Sequence, residues 1–289
     1  MNQNILTRKA AAKVNLFLHI TGKRPDSYHL LQSVMVFVDV GDEMSFAPYQ
    51  GFFIDVEGPF AEQLGPLHEN MVYKAAKMLA DEYKKPLQAK IVLKKNLPIA
   101  SGIAGGSSNA AMTLRGLAQL WRLPEETGRL QKMAEALGAD VPACMYARPV
   151  WTEGIGEKMT YLQGMPDFYF VLANPMLLSP TPEVFRRFKG RFSPALAFSG
   201  RRKSMQEWIA DLKLYRNDLT EAAQEVCPPI RDVLRALENT PNCRFARLSG
   251  SGATCFGVYD NPSAAQAAVN KIRQEYPRWW VVATSTLKQ

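Results

Sequence analysis

Apolar and polar residues alternate along the first third of the chain, which is the pattern of half-buried β-strands. In residues 12–21, apolar side chains recur at every second position from Val14 to Ile20. The following segments are also rich in β-branched and aromatic residues. The predicted strands of this region are 12–21, 31–40, 43–47 and 52–57.

The apolar spacing changes to three and four residues at about residue 70, which predicts helices. Val72, Ala75, Ala76 and Leu79 follow this spacing. Pro124 suits the first turn of a later helix, because a proline at that point loses no helical hydrogen bond. The predicted elements are helices 70–83, 107–121 and 124–137 and a strand at 89–93.

Strand and turn signals return after Pro149, and a proline-rich connection at 174–182 favours a domain boundary nearby. The sequence thus predicts two continuous domains, 1–165 and 166–289. Short turns between the later strands indicate an antiparallel sheet and an α+β fold class. The predicted later elements are strands 150–153, 168–173, 243–248, 254–259 and 279–284 and helices 207–215, 230–237 and 263–276.

Composition narrows the class of protein. The chain has 289 residues, of which 47% are hydrophobic and 21% charged. These values exclude a disordered or fibrous chain. A net charge of +8 favours an anionic partner, such as a nucleotide, a phosphorylated metabolite or nucleic acid, without choosing among them.

No apolar run approaches the roughly 18 residues that a membrane span needs. The N-terminal apolar stretch is interrupted by Lys13 and Asn15, unlike a signal peptide. We therefore expect a cytoplasmic protein. The four cysteines form no C-x-x-C pair and have no histidine at zinc-ligand spacing, so neither a disulfide framework nor a metal site is predicted.

The segment LPIASGIAGGSSNAA, residues 97–111, is a small-residue loop between a predicted strand and a predicted helix. Small side chains let backbone N–H groups approach an anion, and the helix start adds its positive dipole end. The loop is neither a Walker A motif nor a Rossmann fingerprint. It is either a phosphate cradle or a simple turn capped by Ser107 or Ser108.

Three further features have both a chemical and a structural interpretation. The turn LSGSGAT, residues 248–254, could be a plain hairpin. Asp140, after a predicted helix, is a candidate general base or a helix cap. Lys13 lies in an apolar strand, where its ammonium either lines a site or reaches solvent along an edge.

Taken in order, four segments resemble the GHMP small-molecule kinases. They are AKVNLFLHITGKRPDSYHLLQS, the glycine loop, GADVP and ARLSGSGATCFGVY, which together extend from residue 12 to residue 259. The first and third are most similar to the members of that family whose substrate is an alcohol linked to cytidine diphosphate.

The resemblance implies a two-domain GHMP kinase fold with the active site in the interdomain cleft, the ATP-binding domain being 1–165 and the C-terminal domain 166–289. It implies ATP-dependent phosphorylation of the 2-hydroxyl of a cytidine-diphosphate-linked methylerythritol in the non-mevalonate isoprenoid precursor pathway. ATP is the expected phosphoryl donor, with Mg²⁺ bound to it. The expected partner is this small molecule, with no nucleic acid and no membrane.

The resemblance also implies roles for individual residues. Asp140 matches the catalytic base, and Lys13 matches the lysine that polarises the hydroxyl or the transferring phosphoryl group. Asn15, Tyr28 and His29 match residues that line the substrate pocket. The residues implied in ATP binding are Asn70, Lys95, Pro98, Ala100, Ser101, Gly102, Ile103, Ala104, Gly105, Gly106, Ser107, Ser108 and Asn109, and those of a supporting turn are Gly250, Ser251 and Gly252.

The chain departs from the family pattern at three positions that are commonly glycine, namely Ser27, Ala100 and Ala104. A Cβ at residue 104 would hold the backbone away from phosphate if that position needs a positive φ. We therefore expect these departures to affect nucleotide affinity more than the type of reaction.

Two other functions compete with this one. Another GHMP kinase, acting on a sugar, homoserine or mevalonate, would have no use for a nucleotide pocket built around Tyr28 and His29. An RNA-binding module fits the basic charge, but the aromatic residues are not interleaved with lysine and arginine as a stacking platform requires.

Overall fold

A computed structural model describes residues 5–124, 127–198 and 203–288. Residues 125 and 126 of the predicted third helix lie outside the described residues, as do the first four residues and the last residue of the predicted domains. By their internal contacts, the residues form two compact units. The first unit comprises Met1–Ala12, Val40–Ile99 and Ala104–Ala147, and the second comprises Lys13–Asp39, Ala100–Ile103 and Arg148–Gln289.

The units are interleaved in sequence because two long strands contribute to both. These strands are β1, Leu6–Lys23, and β2, His29–Ala47, which pair with each other. The sequence predicts two strands where β2 is continuous. The predicted break covers residues 41 and 42. The Cβ position of Gly41 is only 2.4 Å from the carbonyl oxygen of Ala10. The glycine therefore serves close strand approach and not a turn.

The first unit packs helices against a small sheet. Strand β3, Phe52–Glu57, is parallel to β4, Ala89–Lys94, and β4 is antiparallel to residues 43–47 of β2. The helices are α1 Met71–Glu82, α2 Gly105–Leu120, α3 Thr127–Leu137 and α4 Val141–Tyr146. Helix α2 contacts each of the other three, so it is the central helix of this unit.

The second unit contains two sets of strands. Residues 31–35 of β2 pair antiparallel with β5, Val150–Gly154, which pairs in turn with β6, Lys158–Tyr161. The other strands form an antiparallel sheet in the order β10, β7, β9, β8. Their bounds are β7 Tyr169–Asn174, β8 Cys243–Leu248, β9 Cys255–Tyr259 and β10 Trp280–Ser285.

Two helices of the second unit, α8 Ile230–Glu238 and α9 Pro262–Glu275, pack on this antiparallel sheet. Apolar residues of α8 and α9, such as Val233 and Val269, share one buried core with Val171 of β7 and Cys255 of β9. Burial of this face drives the packing, since each helix is apolar on one side only. The other helices of this unit are α5 Thr181–Arg187, α6 Met205–Leu214 and α7 Thr220–Val226.

The predicted α+β class and the antiparallel C-terminal sheet are confirmed. The sequence missed α4, α5, α7 and β6, which are all seven residues or shorter. Helix α5 begins inside the predicted proline-rich connection, where Pro180 is the N-cap residue and Pro182 occupies the first turn. The predicted domain boundary near residue 165 stays a prediction. Among the described residues, no helix has the length and apolar character needed to cross a membrane.

The packing of α2 on β2 gives a first prediction. A Cβ on Gly116 would lie 2.5 Å from Cε2 of the buried Phe46 ring. We expect Gly116→Ala to lower the free energy of unfolding by about 1 to 3 kcal/mol, because the ring must shift in a packed core. Chemical denaturation measures the change.

Gly128→Ala is the matched control, since its Cβ would meet nothing within 4 Å in helix α3. It should leave stability unchanged or raise it slightly. Equal losses of stability in the two variants would show that contact with Phe46 is not the reason why a side chain at residue 116 is unfavourable.

Candidate active site

The loop before α2 is held by its own backbone carbonyl groups. In the second unit, the carbonyl oxygen of Ile103 accepts from Lys13 N at 3.0 Å, and that of Ser101 accepts from Thr254 N at 3.1 Å. The carbonyl oxygen of Gly102 accepts from Ser249 Oγ at 3.0 Å. Three consecutive loop residues are therefore fixed to strand β1 and to the turn between β8 and β9.

Gly102 is required by its position. Its φ is +73°, and a Cβ would lie 2.4 Å from the carbonyl oxygen of Ser249 and 2.8 Å from the backbone of Gly252. No side chain fits this approach, and the left-handed backbone adds strain for any other residue. The glycine loop and the turn at Gly250, Ser251 and Gly252 thus meet backbone to backbone, as a supporting turn should.

Lys13 is buried in a polar network of the second unit, with only 4% of its surface exposed. Its Nζ donates to Asn15 Oδ1 at 2.7 Å, and Asn15 Nδ2 donates to Ser33 Oγ at 2.8 Å. Asn15 N donates to Ser249 Oγ at 3.2 Å. This burial excludes the alternative of an edge-strand lysine whose ammonium reaches solvent.

The supporting turn is itself anchored on both sides. Asn217 Nδ2 donates to the carbonyl oxygen of Gly250 at 2.7 Å, and Ser179 Oγ donates to that of Ser251 at 2.8 Å. Thr181 and Ser251 share a hydrogen bond between their hydroxyl groups at 2.7 Å. The turn is therefore fixed in place before any ligand binds.

The start of α2 lies in the first unit and has no side-chain cap. The N-cap residue is Ala104. Its carbonyl oxygen accepts the first helical hydrogen bond described, from Ser108 N at 2.9 Å. Ser108 Oγ donates to the carbonyl oxygen of Ala11 at 2.6 Å, so it does not cap the helix. The N–H groups of residues 105–107 precede the helical bonds and remain suited to an anion.

The three departures from glycine share one backbone conformation. Ser27, Ala100 and Ala104 have φ values of 70°, 49° and 55°, all in the left-handed region. A non-glycine residue costs roughly 1 kcal/mol there. Ala104 therefore has the positive φ under which its Cβ was expected to hold the backbone away from phosphate.

Two other residues expected near ATP have structural partners in the first unit. Asn70 caps α1, because its Oδ1 accepts from Val72 N at 2.9 Å. Lys95 is buried, and its Nζ lies 2.6 Å from Asp42 Oδ2. Burial lowers the pKa of Lys95, although the nearby Asp42 carboxylate opposes this shift.

Asp140 occupies the N-cap position of α4 but accepts no capping hydrogen bond with its side chain. The helix-cap interpretation therefore does not account for its carboxylate. Asp140 belongs to the first unit and Lys13 to the second. The structure thus brings Lys13, Asn15, Gly102 and the supporting turn together, and it assigns Asp140 to the other unit.

Tyr28 and His29 follow the tight turn between β1 and β2. The Tyr28 side chain is 61% exposed. The His29 ring lies 5.4 Å from the Phe185 ring and 5.7 Å from the Phe188 ring, both centroid to centroid. Partial burial, with a smaller contribution from Lys23, lowers the pKa of His29, so the imidazole is neutral at pH 7 and offers one donor and one acceptor.

Sequence reasoning missed four residues of this region. Asp42, Phe185 and Ser249 contact candidate residues directly. Arg247 is buried and donates to the carbonyl oxygens of Leu16, Leu212 and Tyr215. Burial lowers the pKa of Arg247 to about 10. Asp42 and Arg247 each share a strand with other charged residues, such as Glu43 and Arg244, so the local sequence did not distinguish them, and it did not distinguish Phe185 either.

Comparison with known proteins assigns the family. The model of the GHMP kinase N-terminal domain matches residues 70–148, and that of the GHMP kinase C-terminal domain matches residues 195–278. The 4-diphosphocytidyl-2-C-methyl-D-erythritol kinase of Rhizobium etli is 43% identical over 98% of this chain and 95% of its own. The chain belongs to the GHMP kinases. It is therefore a phosphotransferase, and its family implies ATP as the phosphoryl donor.

Other GHMP kinases are similar over their whole length. The enzyme of the same name from Paramagnetospirillum magneticum is 40% identical, covering 96% of this chain and 98% of its own. A crystal structure of 4-(cytidine 5'-diphospho)-2C-methyl-D-erythritol kinase matches with a TM-score of 0.80 and 29% identity, over 98% of this chain and all of that one. Homoserine kinase from Cytophaga hutchinsonii has a TM-score of 0.70 at 15% identity, covering 99% of this chain and 96% of its own, so it shows the shared fold alone.

The contact between the glycine loop and the supporting turn gives a second prediction. We expect Gly102→Ala to destabilise the protein by more than the roughly 1 kcal/mol that a left-handed alanine costs, because its Cβ also collides with Ser249. Thermal or denaturant unfolding measures the loss.

Gly51→Ala separates the two contributions. Gly51 has a φ of +100°, and its Cβ would meet nothing within 4 Å. Gly51→Ala should therefore lose only the stability that the left-handed backbone costs an alanine. If both variants lose the same free energy of unfolding, the close approach at Gly102 adds nothing to the cost of a Cβ there.

Proposed function

We propose that this GHMP kinase transfers the γ-phosphoryl group of ATP to the 2-hydroxyl of 4-diphosphocytidyl-2-C-methyl-D-erythritol. The names of its full-length relatives support this substrate. The structural observation that carries it is the exposed Tyr28 ring followed by His29 packed on Phe185. This arrangement suits a nucleobase and has no purpose toward homoserine or mevalonate.

The Tyr28 ring and the His29 imidazole would both contribute to recognition of the base. An exposed aromatic face contributes roughly 1–3 kcal/mol when a base stacks on it. A neutral imidazole held by two phenylalanine rings has a fixed orientation, so its donor and acceptor can select one base edge. The cytosine would therefore be chosen by hydrogen bonding and retained by stacking.

The phosphate groups of ATP would bind at the start of α2. The N–H groups of residues 105–107 provide donors at the positive end of a sixteen-residue helix. Gly105 and Gly106 present no side chain there, which permits close approach of the backbone to phosphate oxygens. This supports a phosphate cradle in place of a plain turn.

Phosphoryl transfer requires positioning and charge stabilisation more than covalent chemistry from the protein. In the proposed mechanism, the Asp140 carboxylate accepts the proton of the 2-hydroxyl as the oxygen attacks the γ-phosphorus. The bond from this phosphorus to the β–γ bridging oxygen breaks, and ADP leaves. Lys13 stabilises the negative charge on the oxygens of the transferring group. The cleft location of this reaction and the cytoplasmic setting stay predictions.

Mg²⁺ would accompany ATP. Within residues 5–124, 127–198 and 203–288, no group of three or more histidine, cysteine, aspartate or glutamate residues could hold a metal ion. Mg²⁺ in kinases is bound mainly by phosphates and water with one or two protein ligands, which fits a site without such a cluster. A serine hydroxyl at the start of α2 could be a protein ligand of this Mg²⁺. Ser107 is a better candidate than Ser108, since Ser108 is buried and donates to the carbonyl oxygen of Ala11. The bound ion would neutralise charge on the phosphates.

The role of Asp140 is tested by Asp140→Asn, which keeps the shape of the side chain and removes the base. We expect kcat to fall about 100-fold or more, with little change in KM for the alcohol. Asp260→Asn is the control, because Asp260 is an exposed partner of Arg244. Normal turnover in Asp140→Asn would remove this residue from the mechanism.

Base selection is tested with the cytidine-linked alcohol and its uridine-linked analogue, in which donor and acceptor are exchanged at the base edge. The native enzyme should phosphorylate the uridine compound at least 10-fold less efficiently in kcat/KM. Tyr28→Ala should raise KM for the cytidine compound about 10-fold and leave KM for ATP unchanged.

Tyr49→Ala is the matched control, since Tyr49 is also an exposed tyrosine beside a phenylalanine. It should change neither KM. Equal use of the two nucleotide-linked alcohols by the native enzyme would contradict cytidine recognition, whereas activity on homoserine or mevalonate would identify a different GHMP kinase.

A further inference from the structure

Asp42 is a fully buried carboxylate in β2 that accepts hydrogen bonds from four donors. Its Oδ1 accepts from Asn96 N at 2.7 Å and from Leu97 N at 2.8 Å. Its Oδ2 accepts from Lys95 Nζ at 2.6 Å and from Asn109 Nδ2 at 2.9 Å. All five residues belong to the first unit.

These donors lie on both sides of residues 98–104, the part of the glycine loop that precedes α2. Asn96 and Leu97 are the last residues before Pro98, where the chain leaves β4 and enters the loop. Asn109 lies in the second turn of α2, just after the loop has ended. One carboxylate therefore connects the entrance of the loop with the helix that follows it.

The charge of Lys95 explains why a carboxylate is needed at this point. Its Nζ lies 3.2 Å from the Cβ position of Gly105, the first residue of α2. A buried ammonium there, next to the positive end of a helix, is unfavourable unless an anion compensates it. Asp42 supplies that anion and leaves the outer side of the helix start to a ligand.

We propose that Asp42 is a positioning residue that fixes the glycine loop and the first turns of α2 in the geometry that binds the phosphates of ATP. The proposal rests on the proposed role of this loop in ATP binding. Asp42 acts through Asn96, Leu97, Asn109 and Lys95 and does not touch the nucleotide. Its loss should therefore weaken ATP binding selectively and leave binding of the alcohol unchanged.

Asp42→Asn and Asn109→Leu test the tether. Asp42→Asn preserves shape but removes the charge that compensates Lys95. Asn109→Leu preserves volume and the ion pair and removes the connection to α2, so it keeps the test valid if Asp42→Asn fails to fold. Because Asn109 is itself among the residues implied in ATP binding, the double-mutant cycle below assigns its effect. We expect each folded variant to raise KM for ATP about 10-fold, with KM for the alcohol unchanged.

A double-mutant cycle shows whether the two residues act together. The double variant should raise KM for ATP by no more than the larger single change, because both changes break the same connection. Multiplying effects would mean independent actions and would overturn the tether. If Asp42→Asn does not fold, an unchanged KM for ATP in Asn109→Leu would also overturn it.

Asp218→Asn is the matched control in the second unit. Asp218 is likewise buried and accepts from a backbone group, Ile20 N, and from a cation, Arg216. It should lose thermal stability with no selective change in KM for ATP. If its KM for ATP rises as much as that of Asp42→Asn, general destabilisation explains both and the proposal is wrong.

Gly105→Val distinguishes failure of this proposal from failure of the proposed function. A β-branched side chain at the helix start should block approach of phosphate and raise KM for ATP in either case. An effect of Gly105→Val without one of Asp42→Asn or Asn109→Leu would overturn the tether alone. No effect in any of the three would remove the loop from ATP binding.

Discussion

The backbone contact between Gly102 and Ser249 is the constraint on which the second unit's candidate site depends. A Cβ position only 2.4 Å from a carbonyl oxygen leaves no room for adjustment. Ser249 Oγ also accepts a hydrogen bond from Asn15 N, and Asn15 Oδ1 accepts one from the Lys13 ammonium. Two turns that are 147 residues apart in sequence therefore determine the position of Lys13, for which a catalytic role is proposed.

The chain crosses between its two units beside the residues proposed to do the chemistry. Lys13 is the first residue after one crossing, and residues 100–103 of the glycine loop are a short excursion between two others. Several of the proposed site residues therefore lie where the two units alternate along the chain.

The sequence allowed the prediction of features that depend on local spacing. Alternation predicted β1, and the glycines with their flanking serines indicated the loop before α2. It could not predict partners that meet only after folding. Asp42 and Asn109 are 67 residues apart, and Phe185, which contacts His29, lies in α5, a helix that was not predicted. The predicted break in β2 includes Gly41, and glycine is found both in turns and where strands approach closely.

The left-handed conformations of Ser27, Ala100 and Ala104 have an evolutionary consequence. Every alanine codon becomes a glycine codon through one base change, so relief of the strain at two of these positions is a single mutational step away. Selection for greater thermal tolerance would find that route early. These two positions are therefore accessible sites for raising the stability of this kinase.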